Sequence, residues 1–311
     1  MSTMRVAALD CGTNAVRLLV ADVDADAGRL VDVVREMRIV RLGEGVDRTG
    51  EFAPAALERL FAALDEFAPM ISATHPSRIR FVATSASRDV SDRAAFITGV
   101  RARIGVAPEV ITGAEEAELS CLGSLAGLPG LPQPPLVVDI GGGSTEFVLA
   151  TPDHRPQVSV SVDIGCVRMA ERHLHADPAA PEQISAMTAD IDAAVAHAAS
   201  VVPLPQAACV VGLSGTVTTV AALAHDLPEY DAAAIHGLVV TTADVDAVTA
   251  RLLAMTAAER AALPVMHPGR VEVIGAGATV LSRLLHAAGA DAVIASEADL
   301  LDGIAFRLAR D

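Results

Sequence analysis

Two stretches of this chain, "AALDCGTNAVRLLVA" (7–21) and "LVVDIGGGSTEFVLA" (136–150), follow one pattern. Each is an apolar run, an acid, a glycine turn with hydroxyl or amide side chains, and a second apolar run. Pairing Asp10 with Asp139 sets Leu9 over Val138 and Gly12 over Gly141. A spacing this long describes a duplicated domain rather than a solenoid, whose repeats recur every 20–50 residues or so. The arms read as strands and each turn as the tip of a hairpin. An α/β chain of two similar halves is therefore expected, and halves that faced each other would bring both turns to one cleft.

The remaining periodicity fits that frame. "LVDVVREMRIVRL" reads as a third strand or a pair, and "APAALERLFAALDEFAPMI" as an amphipathic helix with proline near its start. "RIRFVATSASRD" reads as a strand entering a Ser/Thr-rich loop, "AAFITGVRARIG" as a helix stopped by glycine, and "PEVITGAEEAELSCLGSL" as strand, turn and helix. The Pro/Gly-dense "AGLPGLPQPP" marks a linker, dividing the chain into domains 1–125 and 126–296. After the second hairpin come a strand in "QVSVSVDIG" and helices in "GCVRMAERHLHA" and "PEQISAMTADIDAAVAHAAS". "AACVVGLSGTVTTVAAL" and "VEVIGAGATVLSRLLHAAG" read alike, as buried strand, glycine turn and helix. The closing stretch 297–311 is an amphipathic helix expected to pack back on the first domain or on a second subunit of a homodimer.

Composition narrows the function. Of 311 residues, 23 are basic, all arginine, against 39 acidic, a net charge of −16. That balance argues against nucleic-acid binding, which needs a basic patch. An anionic substrate would have to be held by a local cluster of arginines and backbone amides. Cys11, Cys121, Cys166 and Cys209 are widely spaced and read as the reduced thiols of a cytoplasmic protein. Residues 193–224 lack Asp, Glu and Arg, but Pro203, Pro205, Gly212 and Gly215 interrupt them, so no membrane span is expected.

The turns suit phosphate. Glycine lets a ligand approach the main chain closely, and successive amides form an anion site without a cationic side chain. Thr13, Asn14, Ser144 and Thr145 add donors at the same places. Asp10, Asp139 and Glu146 are hard oxygen ligands of the kind that hold Mg²⁺ together with substrate phosphates. The plain alternative for either turn is a hairpin and nothing more. In "ITGAEEAEL", Thr112 and Glu115 form a capping box that leaves Glu116 in the first turn of a helix, either a solvated carboxylate or a general base for water. Arg88, in "TSASRD", either clamps a phosphoryl group or pairs with Asp89 or Asp92. The turns "GLSGT" (212–216) and "GAGAT" (275–279) either open helices against an anion or pack helices closely on a sheet. His173 and His175 are two apart, a poor metal pair on a helix; His236 and His267 read as structural.

With those motifs assembled, the sequence resembles the exopolyphosphatase/guanosine-pentaphosphate phosphohydrolase (Ppx/GppA) family of the actin-like ATPase and sugar-kinase superfamily. "ALDCGTNAVRLLV", "ATSASRD", "ITGAEEAEL", "VVDIGGGSTEF", "GCVRMAERHL", "GLSGT", "MHPGRVEVIGAG" and "SEADLLDGIA" follow the family's order, and "GxEEA" ahead of "DIGGGSTE" is the specific sign. The resemblance implies two duplicated actin-like (ribonuclease H-like) α/β domains with an interdomain cleft. It implies Glu116 as catalytic base, and Asp139 and Glu146 as the acids at Mg²⁺ (or Mn²⁺) and phosphate. Gly141, Gly142, Gly143 and Ser144 become the second phosphate loop, Asp10, Gly12, Thr13 and Asn14 the first, and Arg88 a substrate contact. Cys11, Ser87 and Val90 depart mildly from the pattern. A chain ending near 311 is expected to lack the extra helical domains of longer members. The implied activity is hydrolysis of the terminal phosphoanhydride of inorganic polyphosphate, short chains favoured. Alternatives are guanosine pentaphosphate 5′-phosphohydrolysis, a small-molecule kinase, and a non-catalytic polyphosphate or alarmone sensor; any K⁺ requirement is left open.

Overall fold

Alternation around the first turn becomes an antiparallel hairpin, β1 (Met4–Cys11) and β2 (Ala15–Asp24), with Asp10 opposite Arg17 and Cys11 opposite Val16. The computed structural model describes residues 3–310. The ambiguous third stretch is one strand, β3 (Arg29–Ile39), antiparallel to β2, with a register shift at Val20/Ala21. A short α1 (Val46–Thr49) precedes α2 (Pro54–Thr74), whose Pro54 occupies the N-terminal position where no amide partner is needed. β4 (Arg78–Ala83) runs parallel to β1. The Ser/Thr-rich stretch expected as a loop is instead a short helix, α3 (Ser85–Asp89). α4 (Ala94–Ile104) stops at Gly105, whose φ of 85° suits glycine. β5 (Glu109–Val110) and α5 (Gly113–Ala126) follow, and the sheet order is β3-β2-β1-β4-β5.

Both faces of this sheet are covered. Leu9, Val16 and Phe81 pack with Leu60, Leu64 and Phe67 of α2 and with Phe96 and Val100 of α4. The alternate residues Val6, Ala8 and Leu19 pack with Leu119 of α5 and with Leu301, Ile304 and Ala305 of the last helix, Leu300–Arg310. That helix and α5 touch through glycines. A Cβ on Gly123 would lie 1.8 Å from the Asp299 carbonyl oxygen, and one on Gly303 would lie 1.9 Å from that of Leu119. One compact unit comprises Met1–Gly127 with Asp299–Asp311; the other is Leu128–Ala298, beginning within the Pro/Gly-dense segment.

The second unit restates the scheme. β6 (Pro135–Ile140), β7 (Thr145–Ala150) and β8 (Pro156–Val162) form an antiparallel meander, with Asp139 opposite Glu146 and Ile140 opposite Thr145. α6 (Cys166–His173) and α7 (Pro181–Val201) precede β9 (Cys209–Leu213), which runs parallel to β6, and α8 (Ser214–Ala224). Then come α9 (Ala232–Ile235), β10 (Val239–Thr241), α10 (Thr242–Ala254), α11 (Ala257–Ala261), α12 (Ile274–Ala288) and β11 (Ala292–Ala295). The order is β10-β11-β9-β6-β7-β8: the five-strand order of the first unit with β10 added at one edge. "VEVI" is not a strand. Val271–Val273 form a turn into α12, and Gly275 and Gly277 lie inside that helix. A Cβ on Gly277 would lie 2.5 Å from Thr216 Oγ1, so the helical glycines serve close packing. No helix among the described residues is long and apolar enough to cross a membrane.

Candidate active site

The first turn is closed by the Gly12 amide donating to the Ala15 carbonyl (2.9 Å). Residues 40–43 brace it from behind. The amides of Val40 and Arg41 donate to the Asn14 carbonyl, and the Gly43 amide donates to that of Thr13. Gly43 is needed there, since a Cβ would lie 2.2 Å from Thr13 Cγ2. Asp10 is buried, 4% exposed, and its Oδ2 accepts from Arg17 Nε at 2.9 Å and Nη2 at 2.6 Å. Arg17 also pairs with the buried Asp299 at the start of the last helix. Burial works against the Arg17 charge, but Asp299 and Asp10 outweigh it and hold the guanidinium above its usual basicity. The adjacent Cys11 thiol is pushed well up by burial and by Asp10, so it stays protonated and unreactive.

Glu116 is not a solvated surface group. It is 7% exposed in the first turn of α5, and its Oε2 accepts from Arg88 Nη1 at 2.6 Å. Arg88 projects from α3 and also donates to the Ile111 carbonyl, so β4, α3 and α5 together fix the pair. The capping box expected here is half formed. Thr112 Oγ1 accepts from the Glu115 amide, but the Glu115 carboxylate accepts from Arg80 at 2.7 Å.

The second turn has the same closure, Gly141 amide to Ser144 carbonyl at 3.0 Å. Its other carbonyls face the start of α6: Cys166 donates to Gly141, Val167 and Arg168 to Gly142, and Arg168 Nε to Gly143 at 2.7 Å. A Cβ on Gly165 would come within 2.4 Å of Gly142, so only glycine lets the helix approach the loop so closely. Glu146 is 1% exposed, and its Oε1 accepts hydroxyls from Ser144 (2.8 Å) and Ser161 (2.7 Å). Asp139 is 5% exposed, and its Oδ1 accepts the Ser214 hydroxyl at 2.5 Å. Thr145 donates its hydroxyl to the Ile164 carbonyl, so it braces the turn rather than offering that proton to a ligand.

Arg17, Ser161, Arg168 and Ser214 did not emerge from the sequence. For Arg17 the signal was present: a four-residue turn puts Asp10 opposite Arg17, as it puts Asp139 opposite Glu146. Ser161 comes from a neighbouring strand and Arg168 from the start of α6; Ser214 lies in the "GLSGT" turn the sequence singled out, but its pairing with Asp139 needed the fold.

Asp139 and Glu146 are two carboxylates directly opposite each other on buried strands, hard oxygen donors of the kind a divalent cation takes. Among the described residues no three His, Cys, Asp or Glu group together as a metal cage. Two hard carboxylates without a cage suit Mg²⁺, which keeps waters and takes phosphate oxygens.

A glycine turn behind a buried acid, built twice on one sheet order, with a buried Glu–Arg pair beside the first, places the protein among phosphoryl-transfer enzymes on a duplicated α/β frame. The chain belongs to the Ppx/GppA phosphatase family, whose model matches residues 19–311; it is a hydrolase of the phosphoanhydride class. It is 49% identical to exopolyphosphatase 2 of Mycobacterium tuberculosis, across 99% of this chain and 100% of that one. The crystal structure of an exopolyphosphatase-like protein, 43% identical, superposes with a TM-score of 0.95 over 99% of this chain and 98% of that one. The Aquifex aeolicus PPX-GPPA enzyme, 29% identical, gives a TM-score of 0.81 over 98% and 100%.

Proposed function

We propose that the protein is an exopolyphosphatase, hydrolysing the terminal phosphoanhydride of inorganic polyphosphate and releasing orthophosphate. The observation that carries this reading is the buried Glu116–Arg88 pair at the start of α5. A carboxylate and a guanidinium side by side, in a chain with a full-length exopolyphosphatase relative, support reading them as a base for water and a clamp for phosphate. Arg88 pairs with Glu116, and a phosphoryl group that drew the guanidinium toward itself would leave the carboxylate to orient water for in-line attack. Each turn offers backbone amides suited to phosphate oxygens, the Thr13 hydroxyl adds a donor at the first, and Asp10 keeps that turn in shape through Arg17. Mg²⁺, or Mn²⁺, held by Asp139 and Glu146 would neutralise charge on the phosphates. Catalysis of this kind is mainly positioning and electrostatics. With a net charge of −16 and no lysine, the surface offers no track for a long polyanion, which favours short chains.

The test is phosphate release from defined short polyphosphates with Mg²⁺, beside long chains, guanosine pentaphosphate and ATP. Glu116→Gln should lower turnover of polyphosphate by about 10²–10⁴-fold while binding is kept. Unchanged turnover removes Glu116 from the role. Faster release from guanosine pentaphosphate shifts the reading to that nucleotide, and binding without release from any substrate shifts it to a sensor. If long chains are cleaved faster than short ones at low ionic strength, the charge argument fails.

A further inference from the structure

Five non-glycine residues among those described have positive φ: Arg41, His75, His154, Ser214 and Asp226. His75 caps the end of α2, His154 sits in the turn between β7 and β8, Asp226 follows the end of α8, and Arg41 lies in the loop bracing the first turn. Ser214 differs in kind. It is the first residue of α8, directly after the buried strand β9, with φ 71°. Leu213 before it is fully extended, so the chain turns from strand to helix in one step. A serine in that conformation is strained, and such strain persists at functional sites where the surroundings impose it.

The strained elbow has a geometric result. β9 runs beside β6 in parallel register, with Leu213 opposite Asp139. Turning at Ser214 throws its hydroxyl sideways onto Asp139 Oδ1, 2.5 Å away. Packing holds the elbow in place. A Cβ on Gly212 would lie 2.8 Å from Val217 and 2.9 Å from Val293, and one on Gly215 would meet the Arg270 guanidinium at 2.4 Å. Glycines thus occupy both nearby positions of tight approach, yet the position with the glycine-like φ holds serine.

We propose that Ser214 is a positioning residue: its hydroxyl fixes the rotamer of Asp139, the acid read as a ligand of the divalent cation. This rests on the reading of Asp139 and Glu146 as the metal acids. Partners of this kind orient ligating groups, and their loss typically weakens metal affinity or activity by about 10- to 100-fold.

Two variants separate positioning from a purely structural hydroxyl, because backbone strain and hydrogen bonding respond in opposite directions. Ser214→Gly relieves the positive φ and removes the donor. Its Tm should equal or exceed that of the native protein, while Mg²⁺ binding to the substrate-free protein, read by titration calorimetry, weakens about 10- to 100-fold. The Mg²⁺ needed for half-maximal phosphate release should rise in parallel. Ser214→Thr keeps the donor but places a β-branched residue at positive φ, so Tm should fall while Mg²⁺ affinity stays within about threefold of native. Native Mg²⁺ affinity in Ser214→Gly overturns the proposal, as does a loss that follows Tm across both variants. If the native protein releases no phosphate from any substrate, the functional reading fails; the calorimetric comparison still decides the role of Ser214.

Discussion

The two hairpins share a length, a closing hydrogen bond and a register, and they differ in the charge placed opposite the acid. Asp10 faces Arg17, whereas Asp139 faces Glu146. In the first hairpin the carboxylate is neutralised within the protein, and the guanidinium continues to Asp299, tying the turn to the last helix. In the second, two buried carboxylates face each other across the strands and accept the hydroxyls of Ser214, Ser144 and Ser161. One scaffold thus yields a turn whose acid faces an arginine and a turn whose acid faces a second acid. After duplication, a single residue opposite the acid can set that difference.

The comparison can be broken most sharply at Arg17. Arg17→Gln leaves Asp10 and Asp299 buried without their shared cation and should cost about 3–5 kcal/mol of stability, read by urea denaturation. A loss below 1 kcal/mol or so would mean the first hairpin does not depend on its ion pair. The mirror change is Glu146→Gln, which removes repulsion with Asp139 and keeps an oxygen for Ser144 and Ser161. It should leave Tm unchanged or raised while Mg²⁺-dependent turnover falls about 10- to 100-fold; destabilisation equal to that of Arg17→Gln would erase the distinction. Smaller effects sharpen the comparison at the glycines. Gly165→Ala drives a methyl into the backbone of the second turn and should cost about 1–3 kcal/mol. Gly12→Ala meets nothing closer than 3.6 Å and should shift stability by no more than about 0.5 kcal/mol, so any activity it loses reports crowding of the ligand.

Much of this was legible because it is local. Strand and helix periods placed β1, β2, α2, α5, β6, β7 and α7. The strands on either side of α12 were not: β10 and β11 have three and four residues, too few for alternation to show. "VEVIGAGAT" imitated "CVVGLSGT", yet only the second runs from strand into helix, because β9 has a parallel partner in β6 and "VEVI" has none. Glu116 shows the same limit at the site. A carboxylate in the first turn of a helix is ordinarily solvated, and its burial depends on α3 bringing Arg88 to it.

The sequence by itself determined the duplicated frame, the two acid–glycine turns and the position of Glu116, since spacing and hydrophobic period are properties of a linear chain. Which further groups reach each acid was decided by the tertiary structure. Arg17 opposite Asp10 and Glu146 opposite Asp139 follow from the turn length, but Asp299 on Arg17 and Ser214 on Asp139 come from far along the chain. A buried charge is set by the groups the fold brings within about 3 Å of it, and local sequence carries no record of them.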